Sequence, residues 1–225
     1  MLTVQNKYDN MKSPTNKIDH GCANVNKKSQ IEVSNDTKEK EGIMKRSEYN
    51  KIKEEGLELM RKAGLYLTPE EEERMEVTDF GLNNPYEEGL MLHVYVNTKR
   101  CCAKELPMLP GQICAEHRHP PLSPENPGKE ETFRCRYGEV YVHVPGEPTA
   151  NPKARIPQGK DDVYTVWHEI VLKKGEQYTL APNTKHWFQA GPEGAIVSEF
   201  SSYSDDGTDV YTDPAITRFT TIEED

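Results

Sequence analysis

The sequence predicts a mainly β domain, a sandwich or barrel, and three observations carry that expectation. From Leu90 onward, short runs rich in Val, Ile, Tyr and Phe recur at near-regular spacing between turn residues. Helical periodicity is confined to the stretch before them, around residues 47–75. No GxGxxG, GxxxxGK[ST], GxSxG or HExxH is present, so the common nucleotide-binding, hydrolase and zincin folds lose their entry point.

The elements follow in chain order. Residues 1–43 are rich in Asn, Lys, Ser and Asp and show no sustained period, a composition that buries too little surface to offset its ordering entropy. They are read as a flexible polar leader, and residues 44–225 as a single domain beginning at Met44. From Ser47, the residues Tyr49, Ile52, Leu59, Met60 and Ala63 form one stripe of a helix, with Gly64 placed to end it. Thr68-Pro69-Glu70-Glu71 then reads as an N-cap, a first-turn proline and a capping-box Glu, opening a short helix to about Met75. Strands are expected at Leu90–Val96, Thr132–Arg136, Glu139–Val144, Glu169–Leu172, Gln177–Leu180, His186–Gln189 and Ala195–Phe200. Tyr137-Gly138, Ala190-Gly191 and Glu193-Gly194 are among the turns between them.

The 225 residues carry a net charge of −10, and no Lys/Arg-rich run is present. A nucleic-acid or anionic-membrane partner, bound through basic patches, is therefore not expected. No run approaches the ~18 apolar residues of a membrane span, and no apolar signal core opens the chain. The five cysteines (Cys22, Cys101, Cys102, Cys114, Cys135) are an odd number without CxxC spacing, which points to a reducing, cytoplasmic setting rather than a disulfide framework.

One constellation carries chemistry. In Gly111-Gln-Ile-Cys-Ala-Glu-His117-Arg-His119, the two histidines lie two apart on a strand and project to one face, where both imidazoles can reach one cation. In Glu131-Thr-Phe-Arg-Cys-Arg-Tyr-Gly138, Glu131 shares its face with the apolar Phe133 and Cys135, whereas Glu130 sides with Arg134 and Arg136. Parity thus selects Glu131 as the carboxylate beside the histidines. A third imidazole, His186, opens a strand after the Pro182-Asn183 turn.

These spacings resemble the paired motifs of the cupin superfamily: G-x5-H-x-H, then E-x6-G, then a block ending in His eleven residues after a Gly. They are met by Gly111/His117/His119, Glu131/Gly138 and Gly175/His186. Two departures stand out. Eleven residues separate His119 from Glu131, where three or four are usual, which keeps Glu125 and Glu130 as rival ligands; and Asn183-Thr184-Lys185 replaces the usual Pro-x-Gly. Within cupins, Tyr95-Val-Asn-Thr-Lys-Arg, Lys104-Glu-Leu, Glu116-His-Arg-His-Pro-Pro, Glu131-Thr-Phe-Arg-Cys-Arg-Tyr-Gly, Tyr164-Thr-Val-Trp-His-Glu and Asn183-Thr-Lys-His-Trp-Phe-Gln-Ala-Gly resemble the D-lyxose ketol-isomerase family. The resemblance covers roughly Met44 to Ile216. It implies a cupin β-barrel or jelly roll with one or two N-terminal helices, a homodimer and a divalent ion, typically Mn2+. It also implies interconversion of D-lyxose with D-xylulose and of D-mannose with D-fructose.

Such an isomerisation moves a proton between C2 and C1 while charge develops on two oxygens, a task for a cation and a base together. His117, His119, Glu131 and His186 are the expected metal ligands. The base should be a carboxylate in a poorly hydrated pocket, and Glu199, in the otherwise apolar Ala195-Ile-Val-Ser-Glu-Phe, fits. Lys104 shares strand parity with Leu106 and Met108, so it either points inward as a catalytic group or snorkels outward. Glu105, of opposite parity, is expected in solvent, and Arg134 and Arg136 on the surface. Of Trp187 and Phe188, one should wall the pocket and the other pack in the core, while His20, His93, His143 and His168 are read as structural. Two readings compete: a cupin Fe(II) dioxygenase, which can use the same ligand set, and a non-catalytic sugar-binding cupin. Glu199 and the lyxose-isomerase wording weigh against the first, the complete ligand quartet against the second.

Overall fold

A computed structural model describes residues 42–225 of the chain; the leader read for residues 1–43 lies outside the described residues but for its last two. Two helices precede the barrel. Helix α1 (Arg46–Lys62) buries Ile52, Gly56, Leu57 and Met60, and α2 (Pro69–Glu73) opens with the expected capping box, in which Thr68 and Glu71 satisfy each other's backbone N–H groups. Around them run the short strands β1 (Ile43–Lys45) and β2 (Glu76–Thr78). Among the described residues no helix is long and apolar enough to cross a membrane.

The barrel strands are β3 (Leu90–Asn97), β4 (Cys102–Met108), β5 (Ile113–Arg118), β6 (Glu131–Val144), β7 (His168–Lys173), β8 (Gln177–Leu180), β9 (His186–Ser201) and β10 (Val210–Tyr211), and β11 (Thr221–Glu223) follows outside the barrel. Two of them, β6 and β9, are long and pair with each other along their whole length, from Glu131↔Ser201 to His143↔Trp187. Strands β2 to β10 form one continuous nine-stranded sheet that curls into two layers, the first and second sheets, and the halves of β6 and β9 belong to different layers. The first sheet runs β2-β3-β4, then the second half of β9, the first half of β6, and β8. The second runs β10-β5, then the first half of β9, the second half of β6, and β7. The mainly β, cupin-type barrel expected from the sequence is what the chain forms.

The sequence divided each long strand in two, reading Tyr137-Gly138 and Glu193-Gly194 as turns. They are instead the corner where β6 and β9 bend from one sheet into the other, and β6 shows register shifts on both sides of Gly138. Both glycines adopt left-handed φ (+67° and +76°), and a Cβ on Gly138 would stand 2.0 Å from the Gly194 carbonyl oxygen. A bend and a turn need the same residue type, so punctuation alone does not separate them.

The inner faces of both sheets meet in one apolar core that includes Leu106, Phe133, Val140, Phe188 and Val197. Outside, α1 covers part of the first sheet through Ile52, Met60, Met91 and Ile196, and residues 154–167 cover the second through Ala154, Tyr164 and Val166, packed on Tyr141 and Trp187. The C-terminal segment returns past the barrel mouth to pair β11 with β1 in parallel, which sends residues 204–218 over the site.

Candidate active site

The three expected histidines come from one sheet. Tyr211, His117 and His186 lie in one row across β10, β5 and β9, and His119 follows two residues on. Each ring has its Nδ1 occupied: His117 with the Ala115 carbonyl (2.7 Å), His186 with the Thr184 carbonyl (2.9 Å), and His119 with the Asp209 carboxylate (2.5 Å). A proton held at Nδ1 leaves a lone pair at Nε2, the tautomer a cation needs. Ligand atoms of all three fall within 4.8 Å of one another, and all three side chains are buried.

Glu131 reaches them from the facing sheet. Its Oε1 stands 3.1 Å from Nε2 of both His119 and His186, yet these three buried atoms have no hydrogen-bond partner. Orphaned atoms of this kind are rare in a folded interior. Adjacent donors around one octahedral divalent ion at about 2.1 Å stand about 3 Å apart, the spacing of Glu131 with His119 and His186, and the His117 ligand atom lies within 4.8 Å of those of the other two rings. The electrostatics of His117 and His119 differ. Burial and the two neighbouring rings hold the pKa of His117 well below its ordinary value, and therefore neutral. Burial opposes a charge on His119 as well, but Glu131 and the Asp209 hydrogen bond outweigh it and push its pKa up to about 9. Burial likewise opposes ionisation of Glu131, and Lys129 with the histidines overcomes it, holding the carboxyl well below the usual range.

The facing sheet supplies the remaining charges. Lys104, Glu199 and Phe133 stand side by side across β4, β9 and β6, all pointing inward. Lys104 Nζ donates to both oxygens of Asp206 (2.8 and 3.0 Å) and to Ser204 Oγ (3.0 Å), with Glu199 Oε1 at 3.9 Å. A second buried ammonium, Lys129, bridges the two carboxylates: its Nζ is 2.7 Å from Glu131 Oε2 and 2.9 Å from Glu199 Oε1. Together with Asp209, Tyr211 and Arg218 these groups line a cavity of about 30 Å³, room for an ion or a water, whose apolar wall includes Leu90, Leu106 and Phe188. Arg218 is buried between Glu76 and Asp206.

Five of the six residues selected from the sequence line this cavity: His117, His119, Glu131, Glu199 and Lys104, whose two readings resolve inward; the sixth, His186, is buried beside it against Glu131. The rival carboxylates stay out, since Glu125 and Glu130 are both exposed. Phe188 walls the cavity while Trp187 packs on the outer face of the second sheet. Glu105 does not lie in solvent. It is 3 % exposed, accepts from Ser198 Oγ (2.8 Å) and lies 3.5 Å from Tyr95 Oη, with Arg136 nearby, so that neighbouring side chains cover the outer face of β4 there. Burial accordingly raises its pKa. Lys129 was missed, although extending the Glu131 parity two residues back would have found it. Asp206, Asp209, Tyr211 and Arg218 were also missed, and no local signal marks them, since only the return of the C-terminal segment brings them in.

The family model described as D-lyxose isomerase matches residues 148–225, a stretch that holds His186 and Glu199. The D-lyxose/D-mannose isomerase of Thermosediminibacter oceani is 59% identical over 182 residues, covering 81% of this chain and 100% of that protein. The D-lyxose ketol-isomerase of Cohnella laeviribosi is 55% identical with the same coverage. Among solved structures, the L-ribose isomerase of Cellulomonas parahominis superposes with a TM-score of 0.67 at 18% identity, over 81% of this chain and 99% of that one. That of Acinetobacter sp. DL28, in complex with L-ribose, gives 0.68 at 16% with the same coverage. At such identities the two structures show a shared fold. The long, whole-length relatives show more: this chain belongs to the D-lyxose ketol-isomerase family of enzymes.

Proposed function

We propose that this protein is a divalent-metal-dependent aldose–ketose isomerase, with Mn2+ as its ion. It interconverts D-lyxose with D-xylulose and D-mannose with D-fructose, and works as a cytoplasmic homodimer. The names of its relatives support the reaction class. The observation that carries the mechanism is the Lys129 bridge, which aims one buried carboxylate, Glu131, at the three histidines and holds a second, Glu199, beside them in the same cavity.

His117, His119, His186 and Glu131 hold the ion, which when bound polarises the sugar's carbonyl oxygen and the neighbouring hydroxyl. Glu199 removes the C2 proton of the aldose and returns it to C1, while the proton of the O2 hydroxyl passes to O1, giving the ketose through an enediol. Lys129 keeps that carboxylate fixed in position. Lys104 donates to a sugar oxygen. Leu90, Leu106 and Phe188 exclude the water that would compete for these groups.

The test is incubation of the purified protein with Mn2+ and D-lyxose without oxygen, followed by assay for ketose. Formation of D-xylulose supports the proposal. Substrate consumption only with Fe(II) and O2 would establish an oxygenase instead, and sugar binding without turnover a non-catalytic cupin.

A further inference from the structure

Directly behind the histidine row, on the outer face of β5, lies a carboxylate that the proposed reaction does not use. Glu116 is 1 % exposed, although it precedes a candidate ligand and faces away from the cavity. Its Oε2 accepts from the backbone N–H groups of Thr165 (2.5 Å) and Val166 (3.0 Å), and its Oε1 from the hydroxyls of Thr165 (2.8 Å) and Thr212 (2.6 Å). Lys185 Nζ stands 3.4 Å from Oε1 and donates to Thr165 Oγ1 at 3.0 Å.

Two of these partners neighbour a side chain of the site. Lys185 precedes His186, Thr212 follows Tyr211, and Glu116 itself precedes His117. The Thr165–Val166 segment is tied to β9 as well, through Trp187 Nε1 donating to the Val166 carbonyl (2.8 Å). One buried carboxylate therefore fastens the backs of the three strands whose fronts carry the histidine row.

We infer that Glu116 is a positioning residue that sets the spacing of His117 and His186 and thereby the affinity of the site for a divalent cation. The inference rests on the metal reading above. Glutamine at this position keeps the size but can offer only one accepting oxygen, and it turns an N–H2 group toward donors. The backs of the strands would then be held less closely. Loss of a group hydrogen-bonded directly to a metal ligand costs typically 10–100-fold in affinity, and Glu116, one bond further out, is placed at the lower end of that range.

The experiment measures Co2+ binding to the metal-stripped full chain by chelator competition and by the visible absorption of the bound ion. Three variants serve: Glu116→Gln, Glu169→Gln and His186→Ala. Glu169 anchors the same covering loop, through the backbone N–H groups of Lys153 and Ala154, but contacts none of the ligand strands' fronts. The expected result is a dissociation constant raised at least tenfold, with an altered spectrum, in Glu116→Gln, and an unchanged one in Glu169→Gln. Unchanged affinity in Glu116→Gln alongside a lowered melting temperature overturns the inference, and so does equal weakening in both variants. If Glu116→Gln does not fold, Thr212→Val and Lys185→Met each remove one tie, and two unchanged dissociation constants would overturn it equally. Binding by His186→Ala as tight as by the unmodified chain would instead defeat the metal reading itself.

Discussion

Buried histidines lie on both faces of the same sheet, three inside and His143 outside, each beside a carboxylate, and only the inner three are arranged as a ligand set. Inside, His117, His119 and His186 have their Nδ1 atoms committed to oxygen acceptors, and the Nε2 atoms of His119 and His186 converge on a single oxygen of Glu131. Outside, His143 stacks on Trp187 with ring centroids 3.8 Å apart and meets Trp167 edge-on. Its Nε2 lies 3.2 Å from Glu169 Oε2, but that carboxylate already accepts from two backbone N–H groups, and neither ring nitrogen of His143 is hydrogen-bonded. Burial and a nearby carboxylate are common to both faces. What separates them is the second nitrogen: where it is pinned, the first is free and aimed, and where it is not, the ring is packing material.

The widest break of this comparison is by removal of the donors. Replacing His117, His119, His186 or Glu131 by Ala should strip bound metal and turnover together, whereas His143→Ala should keep stoichiometric metal, as measured by elemental analysis of the purified proteins. A metal-free His143→Ala protein, or a fully loaded Glu131→Ala protein, would erase the distinction between the two faces.

Next in size are changes that leave the ligands alone. Glu199→Gln should retain metal and sugar binding while kcat falls by roughly 10²–10⁴, and exchange of the substrate C2 hydrogen with solvent deuterium should stop at the same time. Lys104→Met should weaken sugar binding and turnover together, because it removes a donor rather than the base. It also leaves Asp206, whose charge is stabilised against burial by Lys104 and Arg218, with one partner fewer. Normal turnover in Glu199→Gln with exchange abolished in Lys104→Met would reverse the two assignments.

How much of this was legible depends on how local each signal is. The histidine pair, Glu131 and the inward parity of Glu199 could be read because a strand's two-residue period fixes which side chains share a face. Lys129 obeys the same period from Glu131, but it sits among the Pro and Gly of a loop, where strand parity is not ordinarily extended. Glu105 shows the converse failure. Its parity was right, since it does point out of the barrel, yet parity says nothing about what covers the outer face. Asp209, the partner that pins His119, is ninety residues away from it, and only the path of the C-terminal segment brings the two together. The corner glycines were recognised as special residues, but bending a continuous strand and ending it demand the same backbone freedom.

The smallest expected effect tests the outer face on its own terms. Burial lowers the pKa of His143 to about 4, with Glu169 opposing that shift and His168 adding to it. The unfolded chain takes up this proton near pH 6.5. Between about pH 6.5 and pH 4 the unfolded state therefore binds more protons at this position than the folded state, so stability falls as the pH falls through that window. One residue contributes at most about 1.4 kcal/mol per pH unit to the slope. Phenylalanine can stack on Trp187 but cannot take up a proton. His143→Phe should accordingly show unchanged turnover and nearly unchanged melting temperature at pH 7.5, and a melting temperature that declines less steeply than that of the unmodified chain on acidification to pH 4.5. Thermal unfolding of both proteins across that range measures the difference. Parallel curves would move the acid sensitivity elsewhere, first to His93, whose pKa burial also lowers against the pull of Glu71. His143 would then be a ring held by its stacking alone.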